Sequence, residues 1–326
     1  MGTTSTAKAS RASQRAAFAR IESMEAQRVQ DGMQYMNRQR QLVPGHGYQK
    51  TGYSFEDATT ANNVFRNRYS NVFPWDATRV KLPAVEPHSN YINASYIKLS
   101  DKKQYIAAQG PLKTTIHHFW SMCYHESEKQ GNDVIVVGMV TPLSESGITK
   151  CEKYWPSKED DTLDFTNLIE KDGLNIDEDS KFKLQFIREK YNAKGDFIET
   201  ELELKSSTKT KKVYHYYYFK WADTKTPPSV EPLLELSREL QMHSEYSKEN
   251  PPVPVIHCSA GVGRTGTFIV LDYLLSRAKD TKKDDLVEDI IEDTVEKCRS
   301  QRMMMVQTIH QYQYLYQAAE VLKLCQ

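Results

Sequence analysis

At 326 residues, the chain has room for one large domain or two small ones. Its 43 basic and 43 acidic side chains cancel, so no global field favours nucleic acid or an anionic membrane surface. No apolar run approaches the ~18 residues that span a bilayer, and five scattered cysteines (Cys123, Cys151, Cys258, Cys298 and Cys325) lack metal-ligand spacing, which fits a reducing compartment; the chemistry read from the motifs below requires no metal or cofactor.

In chain order, the first twenty residues carry Lys8, Arg11, Arg15 and Arg20 and no acid. They read as a flexible basic extension that becomes helical over Phe18–Met36, with only weak transit-peptide or myristoylation character. Gly45, Gly47 and Gly52 mark a loop, which puts an extension at 1–45 and a catalytic domain at 46–326. Val80–Leu82, Tyr91–Ile97 and Tyr105–Ala108 read as strands, His117–Lys129 as a helix, and Val134–Val140 as a buried strand. The acidic stretch Glu159–Asp179 reads as a solvated surface segment. Lys181–Tyr191, Phe197–Lys205 and Lys211–Lys220 alternate as antiparallel strands do, with a turn at Lys205–Lys209. Val230–Tyr246, Leu286–Cys298 and Thr308–Leu324 read as helices. Strands interleaved with helices give an α/β domain around one mixed sheet.

The densest signal is His257-Cys258-Ser259-Ala260-Gly261-Val262-Gly263-Arg264-Thr265-Gly266, between the apolar runs Val253–Ile256 and Thr267–Leu275. A thiol at a strand-to-helix turn meets inward N–H groups and the positive end of a helix dipole. Its pKa falls below the free value of ~8.5, leaving a thiolate nucleophile. Glycines let the backbone of Ser259, Ala260, Gly261, Val262 and Gly263 curl around a ligand. Arg264 offers a planar fork for two phosphate oxygens. That combination suits phosphoryl transfer through a covalent intermediate.

Here the chain resembles the protein tyrosine phosphatase family, its phosphotyrosine-specific non-receptor branch, and is similar to fungal members in places. The signature His-Cys, five residues, Arg-Ser/Thr-Gly is matched throughout, and the likeness runs over roughly residues 60–326. It implies a single phosphatase domain with a twisted mixed central sheet flanked by helices. By the same resemblance Asp223, in Trp221-Ala222-Asp223, is the general acid. The family's Pro and its following Phe-Gly are here Ala222 and Thr224-Lys225, so closure of that loop is expected to be looser. Gln307 aligns as the residue that aims water at the phosphocysteine, with Gln311 in support. Thr265 donates to the departing thiolate, and His257 tunes Cys258.

Phe65–Val72 resembles the phosphotyrosine-recognition loop, so Tyr69 walls a deep pocket. Asn71, where Asp is usual, holds substrate backbone more weakly. Glu145 and Lys150 match a loop whose Glu orients Arg264 and whose Lys meets the acid loop. Arg299 and Arg302 match basic positions behind the glutamine loop. Met304 stands where some members have a glycine that opens a second phosphotyrosine pocket. The resemblance implies a cytoplasmic or nuclear monomer that hydrolyses phosphotyrosine in proteins. The alternatives are a catalytically impaired phosphotyrosine-binding module, or a phosphatase of broader specificity.

Overall fold

The computed structural model describes residues 10–41, 52–176, 181–223, 225–246, 249–280 and 289–322. In chain order come α1 (Arg11–Gln41), α2 (Glu56–Thr59), β1 (Arg79–Lys81), β2 (Tyr91–Lys98), β3 (Gln104–Ala108), α3 (Ile116–Lys129) and β4 (Val134–Met139). A hairpin of β5 (Ser144–Glu145) and β6 (Ile148–Thr149) follows, then β7 (Thr162–Asp164), α4 (Thr166–Lys171), β8 (Lys183–Asn192), β9 (Phe197–Lys205) and β10 (Thr210–Tyr217). The last elements are α5 (Glu231–Tyr246), β11 (Val255–His257), α6 (Gly263–Asp280), α7 (Ile290–Arg299) and α8 (Ile309–Val321). Gly45, Gly47, Asp177–Asp179, Thr224, Leu286, Leu324 and Cys325, named above, lie outside the described residues.

Among the described residues, nine strands form one mixed sheet in the order β1-β2-β3-β11-β4-β10-β9-β8-β7. The inner pairs β3–β11, β11–β4 and β4–β10 are parallel; the outer pairs are antiparallel. Period-two alternation divides the core. Tyr105, Ala107, Val136 and Ile256 join a buried cluster with α1, α5, α6, α7 and α8. Ile106, Ala108, Val137 and Val255 face α3 and α4. β11 is short but central, and its carboxyl end carries Cys258. Open parallel sheets bind ligands at that end.

Two expectations change. α1 starts at Arg11 and docks rather than remaining a flexible arm: Ala17, Phe18 and Ile21 are buried, and Phe18 packs on Tyr312 with ring centroids 5.3 Å apart. Arg20 pairs with Glu292 and Arg28 with Glu296. The acidic stretch is solvated at most of its described carboxylates, yet it also holds β7 and α4. Phe165, Ile169 and Leu174 anchor it in the core. Asp172 turns inward to accept from His117 and His118 at 2.8 and 2.6 Å.

Candidate active site

The turn after β11 is shaped from outside. Gly261 has φ +73°, and a Cβ there would meet Ala108 O at 2.1 Å, so only glycine fits. Arg302, wholly buried, donates to Gly261 O at 2.9 Å and Ala260 O at 3.0 Å, and to Asn93 Oδ1 and Ser95 Oγ. Gly110 N–H donates to Ser259 O at 2.8 Å. With these carbonyls drawn outward, backbone N–H groups are left for an anion on the Cys258 side.

Cys258 is 3% exposed. Burial alone raises its pKa. The charge of Arg264, the Thr265 hydroxyl and the N–H groups of Thr265 and Gly261 outweigh that effect, so the net shift is downward. Among the described residues, the buried Thr265 Oγ1 has no competing hydrogen-bond partner. Burial pushes Cys151 and Cys123 far up and Cys298 up to about 12. Beside the nucleophile, His257 is neutral, its pKa lowered to about 4 by burial. Its Nδ1–H donates to Cys258 O at 3.0 Å, and Nε2 lies 2.5 Å from the Tyr154 hydroxyl, which also meets His215 at 2.7 Å. Such a histidine fixes the turn and carries no charge near neutrality.

The acid loop closes over Arg264. Arg264 Nη1 donates to Trp221 O at 2.8 Å, and Nη2 lies 3.3 Å from Asp223 Oδ1. Lys150 Nζ bridges to Asp223 Oδ2 at 2.8 Å. Trp221 is fully buried, and its indole N–H donates to Lys225 O at 2.8 Å, a clasp across the loop. Glu145 differs from expectation. Its two oxygens accept Asp223 N–H at 3.0 and 3.1 Å, so it holds the acid loop rather than the Arg264 guanidinium. Spacing identified the right hairpin but not which of two adjacent partners it serves.

The pocket wall is tied to the same turn. Tyr69 OH lies 2.8 Å from Ser259 Oγ, which donates to Lys150 O at 2.6 Å. Asn71 is exposed at the rim. Arg68, which the sequence shows only as part of the recognition-loop match, donates to Gly110 O and Pro111 O at 2.9 and 2.7 Å and braces that loop. Gln307 and Gln311 approach Gly263 so closely that a Cβ there would lie 3.1 Å from Gln307 Oε1 and 3.0 Å from Gln311 Nε2. Gln311 Oε1 accepts the N–H groups of Gln307 and Thr308, capping α8, so its support is structural.

A protein-tyrosine phosphatase family model matches residues 63–320, most of the chain. The chain belongs to the protein-tyrosine phosphatase family. This phosphatase hydrolyses phosphotyrosine. It is 37% identical over 286 residues to tyrosine-protein phosphatase 1 of Saccharomyces cerevisiae, covering 80% of this chain and 83% of that one. It is 34% identical over 301 residues to tyrosine-protein phosphatase 69D of Drosophila melanogaster, covering 87% of this chain and 18% of that longer protein. A solved structure of PTPN18 superposes with TM-score 0.74 at 28% identity, covering 96% and 95% of the two chains. PTPN18 in complex with HER2-pY1248 phosphopeptides gives 0.73 at 28%, covering 95% and 99%.

Proposed function

We propose that the phosphatase works through a cysteinyl-phosphate on Cys258, with Arg264, Asp223, Thr265 and Gln307 as its working groups. The thiolate attacks phosphorus while Arg264 and the N–H groups of 259–263 hold the equatorial oxygens. Asp223 protonates the departing tyrosine oxygen. Gln307 then orients water, Asp223 takes its proton, and Thr265 steadies the thiolate that leaves. The observation that carries this reading is the meeting of a low-pKa Cys258 with Arg264 and Asp223 on one guanidinium-centred cluster.

Tyr69 against Ser259 supports a deep pocket that admits phosphotyrosine rather than shorter phosphoserine, with proteins as substrates. The Trp221–Lys225 clasp supports turnover over the binding-module alternative, because the acid loop keeps a latch despite Ala222. We take 46–326 as the catalytic domain, with 1–45 an extension whose helix docks on it. We also propose a monomer in the cytoplasm or nucleus. Four free, buried cysteines among the described residues support a reducing compartment. Among the described residues, no helix is long and apolar enough to cross a membrane.

Acid-quenching the enzyme during turnover and mapping phosphate by mass spectrometry tests the scheme. Phosphate is expected on the Cys258 peptide and absent in Cys258→Ser. Phosphate on any other residue would overturn it.

A further inference from the structure

The loop that carries Gln307 is held in a costly conformation. Met304 and Val306 both adopt left-handed backbone, with φ +61° and +59°. For a β-branched residue such as Val306 this costs on the order of 1–3 kcal/mol and persists only where the surroundings impose it. Val306 N–H donates to Val262 O at 3.1 Å. Arg299, 3% exposed, donates to Met305 O and Val306 O, each at 2.9 Å.

A further restraint comes from α1. Glu25, 8% exposed, accepts the Met304 N–H at 3.0 and 2.9 Å with its two oxygens, and faces Arg299 Nη1 at 3.5 Å. One carboxylate therefore fixes a strained residue and also the arginine that pins the next two carbonyls. Phe18 of the same helix lies under the Arg299 guanidinium, 5.2 Å from the ring centroid. The family match begins at residue 63, so Glu25 and Phe18 reach this loop from outside it.

We propose that Glu25 is a positioning residue for the second half-reaction. Through Met304 N–H and Arg299, it holds Gln307 where water attacks the phosphocysteine. The proposal rests on the role given to Gln307 above. In that step the water oxygen bonds to phosphorus, the P–S bond breaks, Cys258 leaves as thiolate and Asp223 takes the proton. Glu25 touches none of these atoms. A displacement of about 1 Å in a positioned group is enough to slow a reaction severely. Transfer of phosphate to Cys258 does not use Gln307, so loss of Glu25 slows only the hydrolysis that follows.

Stopped-flow assay of the full chain with p-nitrophenyl phosphate tests this. Glu25→Ala is expected to lower kcat about tenfold, to leave kcat/KM within about twofold, and to release a burst of phenolate approaching one per enzyme. kcat/KM is spared because it reports only the steps up to phosphate transfer. Glu25→Gln keeps an acceptor for Met304 N–H and recovers most of kcat. A fall in kcat/KM with no burst would mark a merely structural role and overturn the proposal. Should Glu25→Ala not fold, Glu25→Asp, one methylene shorter, carries the same expectation and the same refutation. Gln307→Ala separates the two layers. A burst there but not in Glu25→Ala refutes the positioning role. No burst in Gln307→Ala sinks the assignment of Gln307, and the proposal with it.

Discussion

Replacing Asp223 by Asn separates proton donation from loop electrostatics. In the free enzyme Asp223 bridges Lys150 at 2.8 Å and Arg264 at 3.3 Å, and its side chain is 38% exposed. At that exposure, solvent screens the pairs, and each contributes at most about 1 kcal/mol. Losing both pairs changes a rate by at most roughly thirtyfold, whatever the leaving group. Losing a general acid costs ~10²–10⁴-fold, or about 3–5 kcal/mol of barrier, but only where the departing oxygen needs a proton. A phenol of pKa ~10 needs one; a strongly activated phenol does not. Asp223→Asn should therefore slow a phosphotyrosine peptide by ~10²–10³-fold and an activated aryl phosphate by less than about thirtyfold. Single-turnover rates on both substrates decide the matter. Equal slowing on the two, of any size, would refute Asp223 as the acid and leave it a loop tether.

Arg264→Lys keeps the charge but loses the fork, and should cost at least ~10²-fold in kcat/KM on phosphotyrosine peptide; a near-normal value would mean that the cradle is built from amides alone. Mild peroxide should inactivate by oxidising Cys258 in preference to Cys123, Cys151 and Cys298, which burial holds as thiols. Added thiol should restore activity and bound phosphate should protect, with mass spectrometry locating the oxidised peptide. His118 and His257 both have pKa values lowered to about 4 by burial. Between pH ~6.5 and ~4 the unfolded chain therefore binds more protons, and stability falls as pH falls through that window. Thermal melts should show this loss, up to roughly 3 kcal/mol per histidine, and His118→Gln should flatten the slope; an unchanged slope would contradict it.

The signature around Cys258 was legible because all its parts are local: strand, turn and helix follow one another, and the glycines sit where the backbone must curl. The alternating strands likewise announced an α/β sheet. What stayed hidden depends on contacts across the fold. Arg302 was visible as a basic position, but hydrogen bonds to Ala260 O and Gly261 O leave no pattern in the sequence, and the same holds for Arg68 on Gly110 and Pro111. The buried face of α1 runs through Ala17, Phe18, Ile21, Glu25, Gly32 and Met36. A carboxylate and a glycine interrupt its apolar stripe, so the helix reads as more solvated than it is. Inside the acidic stretch, Phe165, Ile169 and Leu174 were too few to outweigh the charges around them.

The place of β11 in the sheet bears on when the chemistry comes into being. Its neighbours β3 and β4 come from the first half of the chain, yet they are not bonded to one another; β11 is the strand between them. Until the late segment arrives, the sheet stays split at its middle, and closing it requires contacts far apart in sequence, the slow kind. Cys258 has its depressed pKa only once Gly261, Arg264 and Thr265 surround it. A copy in which these groups are not yet assembled therefore carries an ordinary thiol, and the reactive one needs β11, the last strand in chain order, in place. Assembly itself thus acts as the safety catch on the nucleophile.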